Sequence, residues 1–193
     1  MKIGDHVFFA PGILFTRLDL SSPRIVQQFE ARMEGYYSSP VRLLAKHRHD
    51  FGAAILLASC MDALGRYSSQ APQSWRNHQR KKYVNWIQSA IRSLSNGPSA
   101  EDFYENFRCG LVHEARAKTA GELRRDIKVA VVVDRGVMAL NAVRLAIEVK
   151  QSLTNFCHKM INDPPALAAF QACLQIDFAL ELKLAATTSK PGK

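Results

Sequence analysis

The apolar positions of this chain recur mainly at the spacing of amphipathic helices. Ser22 and Pro23 indicate a helix start, because serine can cap a helix and proline suits its first turn; the apolar residues that follow then share one face. Ser39 and Pro40 repeat this start signal. Residues 41–64 predict one long helix, or two helices joined near 49–50. Since residues 51–64 are apolar on most sides, we expect this part at the centre of a helical bundle.

The second half of the chain continues the helical pattern. Residues 75–94 predict a third helix, and residues 99–113 predict a fourth, which begins with a capping box formed by Ser99 and Asp102. Asn141 is a typical N-cap, and the apolar positions behind it predict a helix to about residue 160. Beyond the Asp-Pro-Pro sequence at 163–165, a last helix is expected to end near residue 183.

One segment departs from the helical pattern. Residues 128–134 are rich in valine and precede Arg135 and Gly136, which indicates a short strand or hairpin inserted around 128–137. The predicted fold is therefore mainly α: a helical bundle with a small β-strand or hairpin insertion. We expect an N-terminal packing arm over 1–20, a single helical domain over 21–183 and a disordered tail over 184–193.

Charge and cysteine usage narrow the class of protein. The 193 residues carry 26 Lys and Arg against 17 Asp and Glu, a net charge of +9, which favours RNA or another acidic partner. The four cysteines are far apart and form no Cys-x-x-Cys pair, so reduced thiols are expected. The longest uncharged run in the central region, residues 51–61, is too short to cross a bilayer. A cytoplasmic protein without a membrane partner is the expectation.

The candidate chemistry lies at the end of the fourth predicted helix, in Arg108 and His113. Arginine presents a permanent, planar cation that matches phosphate oxygens, and the ordinary pKa of histidine permits proton transfer near neutral pH. Together they indicate phosphodiester chemistry. On a straight α-helix, positions five apart are separated by about 140°, so we do not expect one helix alone to bring these two side chains together.

The segment that contains this pair resembles the Arg-x4-6-His signature of the HEPN superfamily, which consists of small helical proteins whose active members are metal-independent ribonucleases. The resemblance covers residues 99–118 closely and the helical pattern of 40–183 more loosely. It implies an HEPN-like helical bundle and a homodimer, in which two arginines and two histidines line one cleft. It implies neither a metal nor a cofactor.

The resemblance also implies roles for individual residues. His113 would be the general base or acid, and Arg108 would stabilise the charge of the phosphorane. Proximity in the sequence, rather than the resemblance, makes Asn106, Glu114 and Arg116 supporting candidates that orient His113 or contact phosphate, and Cys109 is a further supporting candidate. The biological role implied is that of a toxin or phage-defence effector, sometimes neutralised by a nucleotidyltransferase-like antitoxin.

The chain departs from the resembled family at Cys109, where active members commonly have a polar Asn, Asp or His after the motif arginine. A catalytically inactive, dimeric binding or scaffold module therefore stays open as the alternative function. A purely structural alternative is also open, in which Arg108 pairs with Asp102 or Glu105 on its own helix and His113 packs at the helix end.

A basic segment in the third predicted helix is the candidate RNA-binding surface. Its cations, which stand beside aromatic residues 75 and 83, are Arg76, Arg80, Lys81 and Lys82. The alternative is that these cations lie on a solvent-exposed helix face without binding RNA. It is open because aromatic residues 83 and 86 fit the buried stripe of that helix. A second basic group at 42–49 has the same two interpretations, and its two histidines lack the helical spacing of metal ligands.

Overall fold

The computed structural model of the protein describes residues 1–68, 79–118 and 120–188. The fold is mainly helical, as predicted. The helices are α1 (Arg24–Met33), α2 (Ser39–Lys46), α3 (Asp50–Ser68), α4 (Gln79–Ala90), α5 (Arg92–Ser95), α6 (Ala100–Phe103), α7 (Gly110–His113), α8 (Ala142–Asn162), α9 (Pro164–Asp177) and α10 (Ala179–Thr188). Two π-helical segments, Glu34–Ser38 and Tyr104–Cys109, join α1 to α2 and α6 to α7.

The long N-terminal helix does not start afresh at Ser39 as expected. Helical backbone angles continue from α1 through the π segment Glu34–Ser38 into α2. Pro40 explains the π segment, since it has no N–H to donate to the carbonyl one turn earlier and the backbone widens locally before it. The helix ends at Lys46, and Arg48 takes a left-handed conformation with φ of 60° before α3 begins. Of the two possibilities for 41–64, two joined helices are confirmed.

α3 occupies the centre of the bundle, as its apolar sequence predicts. It packs against α2, α4, α8 and the motif helix, which is the continuous helical stretch formed by α6, the π segment Tyr104–Cys109 and α7. Beside it, the ring of Phe29 lies 5.0 Å from that of Tyr67, 5.6 Å from Phe156 and 5.1 Å from Phe170. This aromatic cluster joins α1, α3, α8 and α9 into one core, because edge-to-face rings add to the free energy of simple burial.

Short strands form two small sheets. The predicted hairpin is confirmed: β5 (Val131–Asp134) pairs antiparallel with β6 (Val137–Leu140), and Arg135 and Gly136 both have positive φ, as a two-residue hairpin turn requires. β4 (Gly121–Leu123) joins the other edge of β6 in parallel. At the N-terminus, β1 (Lys2–Ile3), β2 (His6–Ala10) and β3 (Ile13–Leu14) form a sheet that sequence analysis did not predict.

The third predicted helix is broken near its C-terminal end. Its predicted beginning, residues 75–78, lies outside the described residues; α4 ends at Ala90, and Ile91 is extended at φ −99° and ψ 111°. Helix α8 stabilises the break, since Glu148 accepts hydrogen bonds from the backbone N–H and the hydroxyl of Ser93 at 2.9 and 3.0 Å. A carboxylate from another helix thus caps α5.

The C-terminal helices begin where their caps predict and extend further than expected. Asn141 accepts bonds from the N–H groups of Val143 and Arg144 at 3.0 and 3.1 Å, and Asp163 caps α9 through Ala166 at 3.1 Å. A break near residue 178 separates α9 from α10. α10 reaches residue 188, so residues 184–188 of the expected disordered tail are helical; residues 189–193 lie outside the described part.

Candidate functional site

The predicted pair Arg108 and His113 comes together on the motif helix. Ser99 caps this helix by accepting a bond from the N–H of Asp102 at 3.3 Å, as predicted. The guanidinium Nη1 of Arg108 then lies 2.6 Å from Nε2 of His113. The expectation that one helix cannot bring these side chains together is wrong, because Arg108 belongs to the π segment Tyr104–Cys109, whose wider turn places residues five apart closer to one face.

Asp62 of α3 fixes the arginine. Nε and Nη2 of Arg108 donate to Oδ2 of Asp62 at 3.1 and 2.6 Å. The Arg108 side chain is only 16 % exposed, and that of Asp62 is 32 % exposed. Burial lowers the pKa of Arg108, but the hydrogen bond and charge of Asp62 outweigh burial and raise it. The guanidinium therefore remains a fixed cation.

Asp62 is a functional candidate that sequence analysis missed. The structural alternative paired Arg108 with Asp102 or Glu105 on its own helix, whereas the arginine contacts an acid 46 residues earlier. A signal was present in the sequence, since Asp62 is the one charged residue within 51–65. A carboxylate in such an apolar helix needs a partner, because burying an unpaired charge is costly.

The contact between arginine and histidine determines the chemical form of His113. A guanidinium only donates hydrogen bonds, so Nε2 of His113 must accept, which leaves the imidazole neutral with its proton on Nδ1. The His113 side chain is exposed at the C-terminal end of α7. While this contact holds, the basic nitrogen of the imidazole is occupied, so His113 can accept a proton from a bound substrate once Nη1 of Arg108 turns to the substrate phosphate.

Two tyrosines line the inner side of the pair. The ring centroid of Tyr104 lies 5.5 Å from Cζ of Arg108 and 5.4 Å from the ring of Tyr83. Tyr83 is fully buried, and its hydroxyl has no hydrogen-bond partner among the described residues. Burial, followed by the charge of Asp62, raises the pKa of Tyr83 well above its ordinary value. Tyr83 is thus a neutral part of the wall and is not available for stacking on RNA.

Cys109 lies on the inner side of the motif helix with these tyrosines. Burial raises the pKa of Tyr104, and a hydrogen bond to the Cys109 side chain raises it further. The cysteine is half-buried and its thiol is free. In this position Cys109 contacts the tyrosine that supports Arg108, whereas His113 is supported by Arg108 itself.

The supporting candidates on the rim pair mainly with one another. Glu114 binds Arg116 at 2.8 Å and Lys118 at 3.0 Å, and these hydrogen bonds lower its pKa. Its described partners are therefore cations, and it does not orient His113. Asn106 accepts a bond from the N–H of Lys118 through its backbone carbonyl at 3.0 Å. These contacts hold residues 114–118, which run back along the motif helix, against that helix.

Gly110 permits this close return of the chain. A Cβ at Gly110 would lie 2.5 Å from the backbone carbonyl oxygen of Arg116, a distance that no side chain tolerates. The N–H of Arg116 also bonds the Gly110 carbonyl at 3.1 Å, and Ala115 takes a left-handed φ of 53° at the turn. Gly110 is thus required for packing between the motif helix and the loop beyond His113.

The predicted RNA-binding residues divide in position. Arg76 lies outside the described residues, and Lys81 is exposed on α4 beside the half-buried Lys82. Arg80 belongs to the site: its Cζ lies 5.5 Å from the ring centroid of Tyr104, and it pairs with Glu101 at 2.8 Å. Arg80 also pairs with Glu105 of the motif helix at 2.9 Å. The rim therefore combines cations with acids rather than forming a uniformly basic surface.

Metal ligands and membrane-spanning helices bear on the class of site. Within 1–68, 79–118 and 120–188, no three His, Cys, Asp or Glu side chains are grouped so that they could hold a metal ion. In the same part of the chain, no helix combines the length and apolar character that crossing a bilayer requires.

Comparison with known proteins does not assign the chain to a family: no family model, no curated protein and no solved structure matches it.

Proposed function

We propose that this protein is a metal-independent RNA endonuclease of HEPN type. The observation that carries the proposal is the 2.6 Å contact between Nη1 of Arg108 and Nε2 of His113, with the arginine fixed by Asp62 and the histidine exposed. This arrangement supports catalysis because a proton acceptor and a cation for phosphate stand side by side at the surface.

The arginine retains donors for a phosphate group. A guanidinium has five N–H donors, and Arg108 uses three of them in its bonds to Asp62 and His113. One N–H on each terminal nitrogen is left without a partner among the described residues. These two donors match a pair of phosphate oxygens, and the bonds to Asp62 can persist while they bind.

The proposed reaction is an attack by the RNA 2′-hydroxyl on the adjacent phosphorus. A phosphate group of the RNA takes the place of His113 at Nη1 of Arg108, which frees Nε2 of the histidine. This nitrogen takes the 2′-hydroxyl proton, the bond from O2′ to phosphorus forms, and Arg108 stabilises the negative charge of the phosphorane. The bond from phosphorus to O5′ then breaks, and the leaving oxygen takes a proton. The products are a 2′,3′-cyclic phosphate and a 5′-hydroxyl, so DNA is not a substrate.

The resemblance further leads us to propose that a homodimer places two such pairs in one cleft. The second histidine would then supply the proton to the leaving oxygen. The proposed biological role is that of a toxin or phage-defence effector in the cytoplasm, with a nucleotidyltransferase-like antitoxin as a possible partner class.

A non-catalytic, dimeric binding module is the second candidate. The bonds from Arg108 to Asp62 favour it, because they join the motif helix to α3 and would serve packing even without chemistry. Cys109 in place of a polar residue favours it too. In this case RNA or a protein partner would bind without being cleaved.

An RNA cleavage assay separates the two functions. Total RNA is incubated in EDTA with purified wild type, Arg108→Ala or His113→Ala. His158→Ala is the matched control, since His158 is an exposed histidine of α8 away from the motif. Circular dichroism and light scattering verify fold and oligomeric state. The nuclease predicts cleavage by wild type and His158→Ala only. RNA binding without cleavage by a folded wild type would favour the module.

A further inference from the structure

A cavity of about 480 Å³ lies between α2, α3 and α8. Its floor consists of Val41, Leu57, Cys60 and Val149, all at most 3 % exposed. Arg108, His113 and Asp62 are not among the residues that line the cavity. The cavity is therefore a different site from the motif pair, and its occupation does not depend on the proposed nuclease.

Small side chains keep the cavity open. Ala45 of α2 and Ala146 of α8 line it, so that the two helices leave space between them. On its rim, Val143 and Ile147 are 39 % and 60 % exposed. Single exposed apolar side chains are ordinary, but these two border an apolar cavity of the size that encloses small organic ligands.

The charged residues that line the cavity are all cations: Arg42, Lys46, Arg125 and Lys150. Two of them are paired at its edge, Arg125 with Asp50 at 2.6 Å and Arg42 with Glu34 at 2.5 Å. The two lysines form no salt bridge within the described chain, and the charge of Lys150 also acts on Glu34. Lys46 and Lys150 therefore present positive charge at the mouth of an apolar space.

Tyr37, from the π segment Glu34–Ser38, also lines the cavity and makes no hydrogen bond within the described residues. Burial is the main cause that raises its pKa, and the charges that act on its hydroxyl are those of Cys60, Arg32 and Asp62. The contacts that the cavity offers to a charged head group therefore come from the two lysines.

We propose that this cavity binds an amphipathic organic anion, with an apolar chain or ring against the floor and a carboxylate at the rim. Lys46 and Lys150 pair with the carboxylate. The apolar body replaces water over Val41, Leu57 and Val149, which supplies the larger part of the affinity. The cations select for an anionic head over a neutral one.

Titration calorimetry of the full chain with decanoate tests the proposal. Decanoate is expected to bind at one site per chain, and decanol and decyltrimethylammonium are expected to bind at least about tenfold more weakly, because they lack the charge that the lysines pair with. The double variant Lys46→Gln/Lys150→Gln should lose about tenfold in decanoate affinity. Lys159→Gln, which removes a charge from α8 outside the cavity, should bind as wild type does.

A variant that fills the cavity tests the apolar half of the site. Ala146→Trp is expected to abolish decanoate binding while circular dichroism shows an unchanged fold. If this variant does not fold, the lysine double variant decides alone, since its substitutions are at exposed positions. Equal binding of decanol and decanoate, unchanged affinity in the double variant, or no binding by wild type would each overturn the proposal.

Discussion

Replacement of Asp62 by alanine tests whether this carboxylate fixes the motif arginine. In the variant, Nε and Nη2 of Arg108 lose the acceptor that they contact at 3.1 and 2.6 Å. Arginine stays charged in proteins, so the guanidinium cannot reduce the free-energy cost of losing this acceptor by giving up its proton. Because the arginine side chain is 16 % exposed, water replaces the lost acceptor only in part.

The magnitude follows from the burial of the two partners. Hydrogen bonds to charged groups contribute about 1.5–3 kcal/mol, and breaking a fully buried ion pair costs about 3–5 kcal/mol. Since Asp62 is 32 % exposed, solvent screens part of its attraction for Arg108. We therefore expect a coupling free energy of about 1–3 kcal/mol between the two side chains.

Urea unfolding of wild type, Asp62→Ala, Arg108→Ala and the double variant measures this coupling as a double-mutant cycle. The same cycle on Arg80 and Glu101 is the control, because that pair, with side chains 54 % and 52 % exposed, should couple by only about 0.2–1 kcal/mol. If the effects at 62 and 108 add to within about 0.5 kcal/mol, the pairing does not contribute to stability and the reasoning is refuted.

Three further predictions concern other parts of the molecule. Gly110→Ala should lower the free energy of unfolding, measured in urea, by about 1–3 kcal/mol, because its Cβ would lie 2.5 Å from a backbone carbonyl oxygen. A variant as stable as wild type would contradict the packing role of this glycine. Iodoacetamide at pH 8 should label Cys109 before Cys60, as judged by peptide mass spectrometry, because burial raises the pKa of Cys60 to about 12; equal labelling would argue against this difference. Burial raises the pKa of Glu34, but the hydrogen bond and charge of Arg42 lower it overall. The stabilising effect of Glu34 is therefore present at neutral pH and lost as pH falls through the lowered pKa. The difference in unfolding free energy between wild type and Glu34→Gln should shrink between pH 6 and about pH 3, and a constant difference would contradict this.

The features that the sequence predicted depend on neighbouring residues. Ser99 and Asn141 cap helices because a short polar side chain reaches N–H groups two or three positions later. The hairpin at 131–140 follows from valine-rich strands around Arg135 and Gly136. Capping and turn signals involve residues that lie within one turn of each other, so these elements can be predicted without knowing the rest of the fold.

The features that were missed depend on distant residues or on backbone detail. Asp62 and Arg108 are 46 positions apart, and their pairing exists only because α3 packs against the motif helix. The kink at Ile91 depends on Glu148, which caps α5 from another helix. The π segment Tyr104–Cys109 brings the motif pair together, whereas the separation of about 140° expected from the sequence holds only for a regular α-helix.

The N-terminal sheet shows the same limitation for strands. β1 and β3 contain two residues each, too few to display an alternating pattern. What defines them is packing: Phe9 of β2 is fully buried and lies 5.5 Å, ring to ring, from Phe178 near the other end of the chain. Sequence analysis predicted an arm that packs, but it could not specify the strands.

The central claim is that Arg108 and His113 cleave RNA through its own 2′-hydroxyl. The most direct test is cleavage of a defined RNA oligonucleotide in EDTA, compared with the same oligonucleotide carrying a single 2′-deoxynucleotide 5′ of the mapped cleavage position. The account predicts that wild type cuts the all-ribose substrate to leave a 2′,3′-cyclic phosphate, and that the deoxy substitution abolishes this cut. Cleavage of both substrates at equal rates, or of neither by the folded protein, would contradict it.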